Sequence, residues 1–126
     1  MVTESVPDGA TQITFRNMES SQSLEAEIHR QVASLARYHR RIVDCSVLVE
    51  THHHQQRKAM FHVRITLRVP GEEVVVSRDS QEAQRNENPY VAVHDAFRTM
   101  HRHLEEAARR HRHSQRARED VSGHIE

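Results

Sequence analysis

The sequence predicts an α+β fold: a two-layer β-α-β-β-β-α arrangement, with a four-stranded sheet and two helices on one of its faces. Three observations carry this. First, from residue 88 to about 113 apolar residues recur at Val93, Ala96, Phe97, Met100, Leu104, Ala107 and Ala108, in the threes and fours of a single helix face. Second, residues 60–69 alternate strictly, with Phe61, Val63, Ile65, Leu67 and Val69 on one side and His62, Arg64, Thr66 and Arg68 on the other, the period of a half-buried strand. Third, the first two strands are separated by a helical pattern, which makes them parallel through a right-handed crossover, while short polar connections join the last three into an antiparallel meander. With 126 residues, 36% hydrophobic and 4% aromatic, the chain has room for one modest core, and a thin two-layer domain fits that better than a deep pocket.

In chain order, residues 1–10 contain Pro7, Asp8 and Gly9, show no period, and are expected to form a disordered leader. Residues 11–16 alternate around Ile13 and Phe15 as a short strand, and residues 17–23 hold three serines suited to capping a helix. The first helix is expected over residues 24 to about 40, with Leu24, Ile28, Val32, Leu35 and His39 as its inner stripe. Residues 42–50 form a second strand with Val43, Cys45, Val47 and Val49 on one face. THHHQQRK, residues 51–58, reads as a polar hairpin connection to the third strand. Pro70 and Gly71 make a turn, residues 73–78 form a fourth strand around Val74, Val75 and Val76, and residues 79–87 are a polar loop. Asn88 is a suitable N-cap and Pro89 a suitable first residue for the second helix, because the missing N–H of proline has no partner there anyway. From Arg112 the apolar period is lost, so residues 11–113 form the α/β domain and 114–126 a flexible tail.

Charge is balanced overall, with 18 basic and 18 acidic side chains, so net charge alone points to no anionic partner. Its distribution says more. Arg30, Arg37 and Arg41 fall on the outer side of the first helix, and Arg98, Arg102 and Arg109 on the outer side of the second, each set within roughly 40° on a helical wheel. Such stripes suit phosphates, because the arginine fork matches their geometry. They also have plainer explanations. Arg37 and Arg41 complement the C-terminal end of a helix dipole, and Asp95, Glu105 and Glu106 are spaced to pair with Arg102 and Arg109. The 12 histidines add positive charge in mild acid. If His94, His101 or His103 lay against RNA, binding would tighten as the pH falls.

Several function classes are disfavoured. The single Cys45 excludes an internal disulfide and, on an apolar strand face, reads as a small buried hydrophobe. No apolar run is long enough to span a membrane and no signal peptide is evident, so a cytoplasmic location is expected. There is no glycine-rich phosphate loop and no nucleophile in a recognisable setting, so no enzyme is expected. His52, His53 and His54 are consecutive, and no cysteine or carboxylate cluster completes four ligands, so no metal or other cofactor is expected. His39, on the inner stripe, reads as a partly buried, hydrogen-bonded residue. Tyr90 suits either a base or the sheet edge.

These segments resemble the ribosome hibernation-promoting factors, also called ribosome-associated inhibitor A or sigma-54 modulation proteins. The resemblance rests on ITFRNM, the first helix, DCSVLVE, HVRITLRVPG and PYVAVHDAFRTMHRHLEE in that order, covering about residues 11–110. It implies the β-α-β-β-β-α fold, similar to double-stranded RNA-binding domains. It also implies a non-enzymatic role: binding the small ribosomal subunit and its rRNA, and blocking the mRNA and tRNA channel by occupancy in stationary phase or stress. The rRNA-contacting positions would then be Arg30, Arg37, Arg41, Arg98, Arg102, Arg109 and Arg110. Typical members are more basic and open the second helix with Asp-x-Tyr-x-x-Ile-Asp. Here Asn88 and His94 stand at the Asp positions, and the 79–87 loop is longer and more acidic. The dimerisation domain of the long forms is absent from this sequence, so ribosome pairing through it is not expected; Ser122 to Glu126 has the character of the start of a further domain. The competing readings are a double-stranded RNA-binding module for another RNA and a His-rich metal-binding protein. Neither a membrane nor a small-molecule substrate is expected as partner, and nothing in the sequence fixes an oligomeric state.

Overall fold

Six elements follow one another along the chain: β1 (Thr11–Arg16), α1 (Gln22–Tyr38), β2 (Asp44–His53), β3 (Ala59–Val69), β4 (Glu72–Asp79) and α2 (Pro89–His124). The computed structural model describes residues 10–53, 59–79 and 88–124. Segments 1–9, 54–58, 80–87 and 125–126 lie outside the described residues, and with them nearly all of the expected leader and polar loop, the tip of the hairpin and His54.

The sheet has the order β1-β2-β3-β4, parallel between β1 and β2 and antiparallel thereafter, as the crossover and meander require. Register explains the core. Ile13 pairs with Val47, Val47 with Ile65 and Ile65 with Val76, one apolar rung across all four strands. A second rung joins Cys45, Leu67 and Val74. Because side chains alternate in a strand, both rungs face the same way. Against them pack Leu24, Ile28, Val32 and Leu35 of α1 and Val93, Ala96, Phe97, Met100 and Leu104 of α2, all in a single buried cluster. Both helices therefore lie on one face, and the opposite face, with Gln12, Ser46, Arg64, Arg68 and Val75, is open.

Caps and turns follow local chemistry. The Ser21 hydroxyl accepts from the Leu24 amide at 3.2 Å and starts α1. Asn88 Oδ1 accepts from the Tyr90 amide at 2.8 Å and starts α2. Asn17 sits at φ 62° after β1, a left-handed conformation that asparagine tolerates better than most residues. Gly71 at φ 81° makes the β3–β4 turn.

Some boundaries differ from expectation. α1 ends at Tyr38, because His39 turns to an extended backbone and closes the helix with its amide on the Leu35 carbonyl at 2.8 Å. Arg40 and Arg41 thus lie in the turn that follows, and Arg41 is off the helix stripe. Val43 precedes β2 and is 49% exposed instead of lying on the apolar face. Val75 is also exposed, pointing away from Val74 and Val76. The expected hairpin connection is partly strand: β2 runs on through His53, with His52 and His53 paired to Met60 and Ala59, since a ladder is a backbone arrangement that polar residues also enter. Finally, α2 runs to His124, beyond the expected end near His113. Gln, Arg, Ala and Glu sustain a helix by propensity where no apolar face demands one.

Candidate functional site

The helix-covered side carries the arginines that the sequence singled out. Arg30, Arg37, Arg41, Arg98, Arg102, Arg109 and Arg110 are all exposed. They are not equivalent. Arg30 is held by Glu27, Nη2 to Oε1 at 2.5 Å. Arg98 lies 3.9 Å from Asp95. Among the described residues, Arg37, Arg41, Arg102, Arg109 and Arg110 meet no carboxylate. The expected pairing of Glu105 with Arg102 or Arg109 does not form, because Glu105 faces His101 one turn earlier, at 3.6 Å. On the open sheet face the balance is different: Arg68 is clamped by Asp44 through Nε and Nη2.

Between the helices runs a groove lined by Gln31, Ser34 and Tyr38 of α1 and by His94, Arg98 and His101 of α2. Two polar clusters tie it together. At one end His94 Nε2 lies 2.8 Å from Glu27 Oε2. Hydrogen bonds from Gln31 and Arg30, with the charges of Arg30 and His94, hold the Glu27 carboxyl at about 2, well below the usual range. At the other end His39 Nε2 and His101 Nδ1 are 3.2 Å apart, so one ring donates and the other accepts. Burial, and then the neighbouring His101, lower the His39 pKa. The half-buried, hydrogen-bonded state expected for His39 is what the structure contains.

Beyond this seam a second cleft opens between the end of α1, the β3–β4 turn and the middle of α2. Val69, Pro70, Leu104, Ala107 and Ala108 give it an apolar floor, and Arg40, Arg41 and Arg112 a cationic rim. The seven-arginine set omits Arg40 and Arg112, as well as the exposed Tyr38 at this cleft. Sequence spacing brings none of these together; they meet because α1 stops at Tyr38 and the turn after it lies beside the β3–β4 turn and α2.

The remaining candidates behave as small structural parts. Cys45 is buried, and burial pushes its thiol up to about 12, so it is unreactive at neutral pH. Tyr90 packs against the core. Among the described residues no three His, Cys, Asp or Glu side chains converge as metal ligands. No helix among the described residues is long and apolar enough to cross a membrane. What the site offers is a set of exposed guanidinium groups without carboxylate partners among the described residues on the helix side, three of them (Arg40, Arg41 and Arg112) at the second cleft, which is suited to binding polyanions.

Comparison with known proteins speaks to the family and the fold. The family model described as sigma 54 modulation protein / S30EA ribosomal protein matches residues 11–112. A search of curated proteins finds no match. Among solved structures, the chain is similar to a ribosomal subunit interface protein from Coxiella burnetii, with TM-score 0.61 and 15% identity over 78% of this chain and 96% of that one. It is also similar to the N-terminal domain of Protein Y from Thermus thermophilus, with TM-score 0.56 and 17% identity over 75% of this chain and 93% of that one. At these identities the two likenesses speak for the fold.

Proposed function

We propose, since the chain belongs to the sigma 54 modulation protein / S30EA ribosomal protein family, that it is a cytoplasmic translation-inhibiting factor that binds the small ribosomal subunit and blocks the mRNA and tRNA channel by occupancy. No bond is made or broken in this mode of action, and no cofactor takes part. The observation that carries it is the uncompensated arginine set on the helix side, Arg37, Arg41, Arg102, Arg109 and Arg110, in a chain whose total charge is balanced. Arg30 and Arg98, which already have carboxylate neighbours, contribute less. Contacts to rRNA would be mainly to phosphates, reading shape more than sequence.

The test is co-sedimentation with small subunits and with whole ribosomes at about 50 and 200 mM salt. With about six phosphates contacted, log K falls against log salt with a slope of roughly −4 to −5. Reversing charge at Arg98, Arg102 and Arg109 together abolishes stoichiometric binding. Wild-type protein that stays in the supernatant at both salts rules the reading out. Tight binding to a short RNA duplex with none to the subunit favours a module for another RNA.

A further inference from the structure

The cleft at the end of α1 combines two features that the broad arginine face lacks: an apolar floor and an exposed aromatic ring. Tyr38 is 68% exposed, whereas Phe97 is buried and Phe15, Phe61 and Tyr90 pack against the core. Its ring is not loose. A T-shaped contact with His101, ring centroids 5.6 Å apart at 78°, sets its orientation while most of its surface stays open. Around it stand Arg40 and Arg41 from the turn after α1 and Arg112 from α2. None of the three has a carboxylate partner among the described residues. Among the described residues Glu72 is the one acid that lines the cleft.

We propose that this cleft binds an unpaired nucleotide of an RNA chain, its base stacked on Tyr38 over the apolar floor and its phosphate held by Arg40, Arg41 and Arg112. The inference deepens the RNA-contact reading above and rests on it. An intact duplex presents phosphates but keeps its bases stacked, which leaves Tyr38 and the apolar floor without a role. A splayed base supplies the flat apolar surface that they fit, and stacking on an aromatic ring accepts any base. An acidic peptide would use the arginines and waste the floor. The cleft encloses about 280 Å³, which is narrow for a drug-sized ligand and suited to a single nucleotide unit.

The test uses the full chain, without ribosomes, and labelled RNA of three kinds: a single-stranded oligoadenylate of about five nucleotides, a duplex of about 16 base pairs, and adenosine monophosphate as competitor. Affinity is read by anisotropy. Contact is read by tyrosine fluorescence in a Y90F background, which leaves Tyr38 as the only emitting residue in a chain without tryptophan. Expected are quenching of Tyr38 by the single strand, about tenfold weaker single-strand binding in Y38L, and wild-type affinity in Y38F, since stacking needs the ring and not the hydroxyl. R41E and R112E each lower the salt slope by about one. Duplex affinity is unchanged by Y38L. Undetectable binding of the single strand to wild-type protein, equal affinity of Y38L and wild type, or equal loss on the duplex overturns the proposal. Adenosine monophosphate binding as tightly as the oligonucleotide also overturns it, assigning the cleft to free nucleotides. Because no ribosome is present, failure here leaves ribosome binding standing, and failed co-sedimentation leaves this result standing.

Discussion

The two polar clusters between the helices titrate in different ranges, and both signs can be worked out. His39 has its pKa lowered in the fold by burial and by His101. The unfolded chain therefore holds the proton more readily through mild acid. The stability contributed by the neutral pair is fully present above pH 6.5 and is lost as the pH falls below it. Charging both rings would set two N–H groups head to head across 3.2 Å, and the nearby Glu105 only partly offsets that repulsion. Glu27 acts further down. With its pKa near 2 in place of 4.5, its contribution persists through mild acid and disappears between those values. Urea-unfolding midpoints from about pH 7.5 to 2 check both. The wild type loses stability in two stages, H39Q flattens the upper one, and E27Q flattens the lower. An upper stage unchanged in H39Q would assign it to other histidines. Two of the three histidines considered for RNA contact are turned to protein partners, His94 to Glu27 and His101 to His39 and Glu105.

Among the elements, β3 and α2 set the architecture. β3 is paired on both edges, and its Ile65 is fully buried in the rung shared by all four strands. Ile65→Ala is expected to cost about 2–5 kcal/mol by denaturant unfolding, because a close-packed sheet–helix layer cannot collapse around the hole. α2 divides in function. Among the residues whose burial is described its buried side chains end at Leu104, whereas the helix continues to His124. A chain ending at residue 113 should keep its thermal midpoint while losing helical ellipticity; a midpoint lowered by more than about 4 °C would mean that the extension packs on the body. These elements show what was legible in sequence. Strand alternation and helix stripes locate every element, since burial of one face imposes its period. The strand order followed from connection rules alone. What escaped was set by single backbone turns or by distant contacts. The early close of α1 at His39 moved Arg41 off its stripe, and no local pattern marks Glu27 for His94 or Arg41 for the Arg112 cleft. The arginine positions were readable as exposed. Which of them lack a carboxylate was not, because that depends on which partner each acid chooses in the fold.

At the scale of the whole molecule, zero net charge has to be reconciled with the polyanionic partner proposed above. The two faces of the domain resolve this by holding their charge differently. On the open sheet face the Arg68 guanidinium is neutralised across strands by Asp44, and Glu73 stands nearby. On the helix face, Arg102 and Arg109 have no ion pair among the described residues: Asp95 lies by Arg98 and Glu105 by His101, while Glu106 shares a surface hollow with Arg109 without pairing to it. At physiological salt, screening over about 8 Å means that a bound phosphate senses its immediate neighbours and not the molecular total. A globally neutral chain can therefore bind RNA on one side, and the side can be identified. Equal charge reversals on the two faces make the comparison fair. R102E with R109E should reduce ribosome co-sedimentation by about two orders of magnitude near 100 mM salt and flatten the salt slope by about two. Reversal at Arg64 with Arg68 changes net charge by the same amount and should leave binding within about threefold of wild type. If the two pairs lose binding equally, the protein responds to total charge and the helix face holds no privileged contact. If only the sheet-face pair loses it, the open β-sheet is the ribosome-facing side and the helices point away.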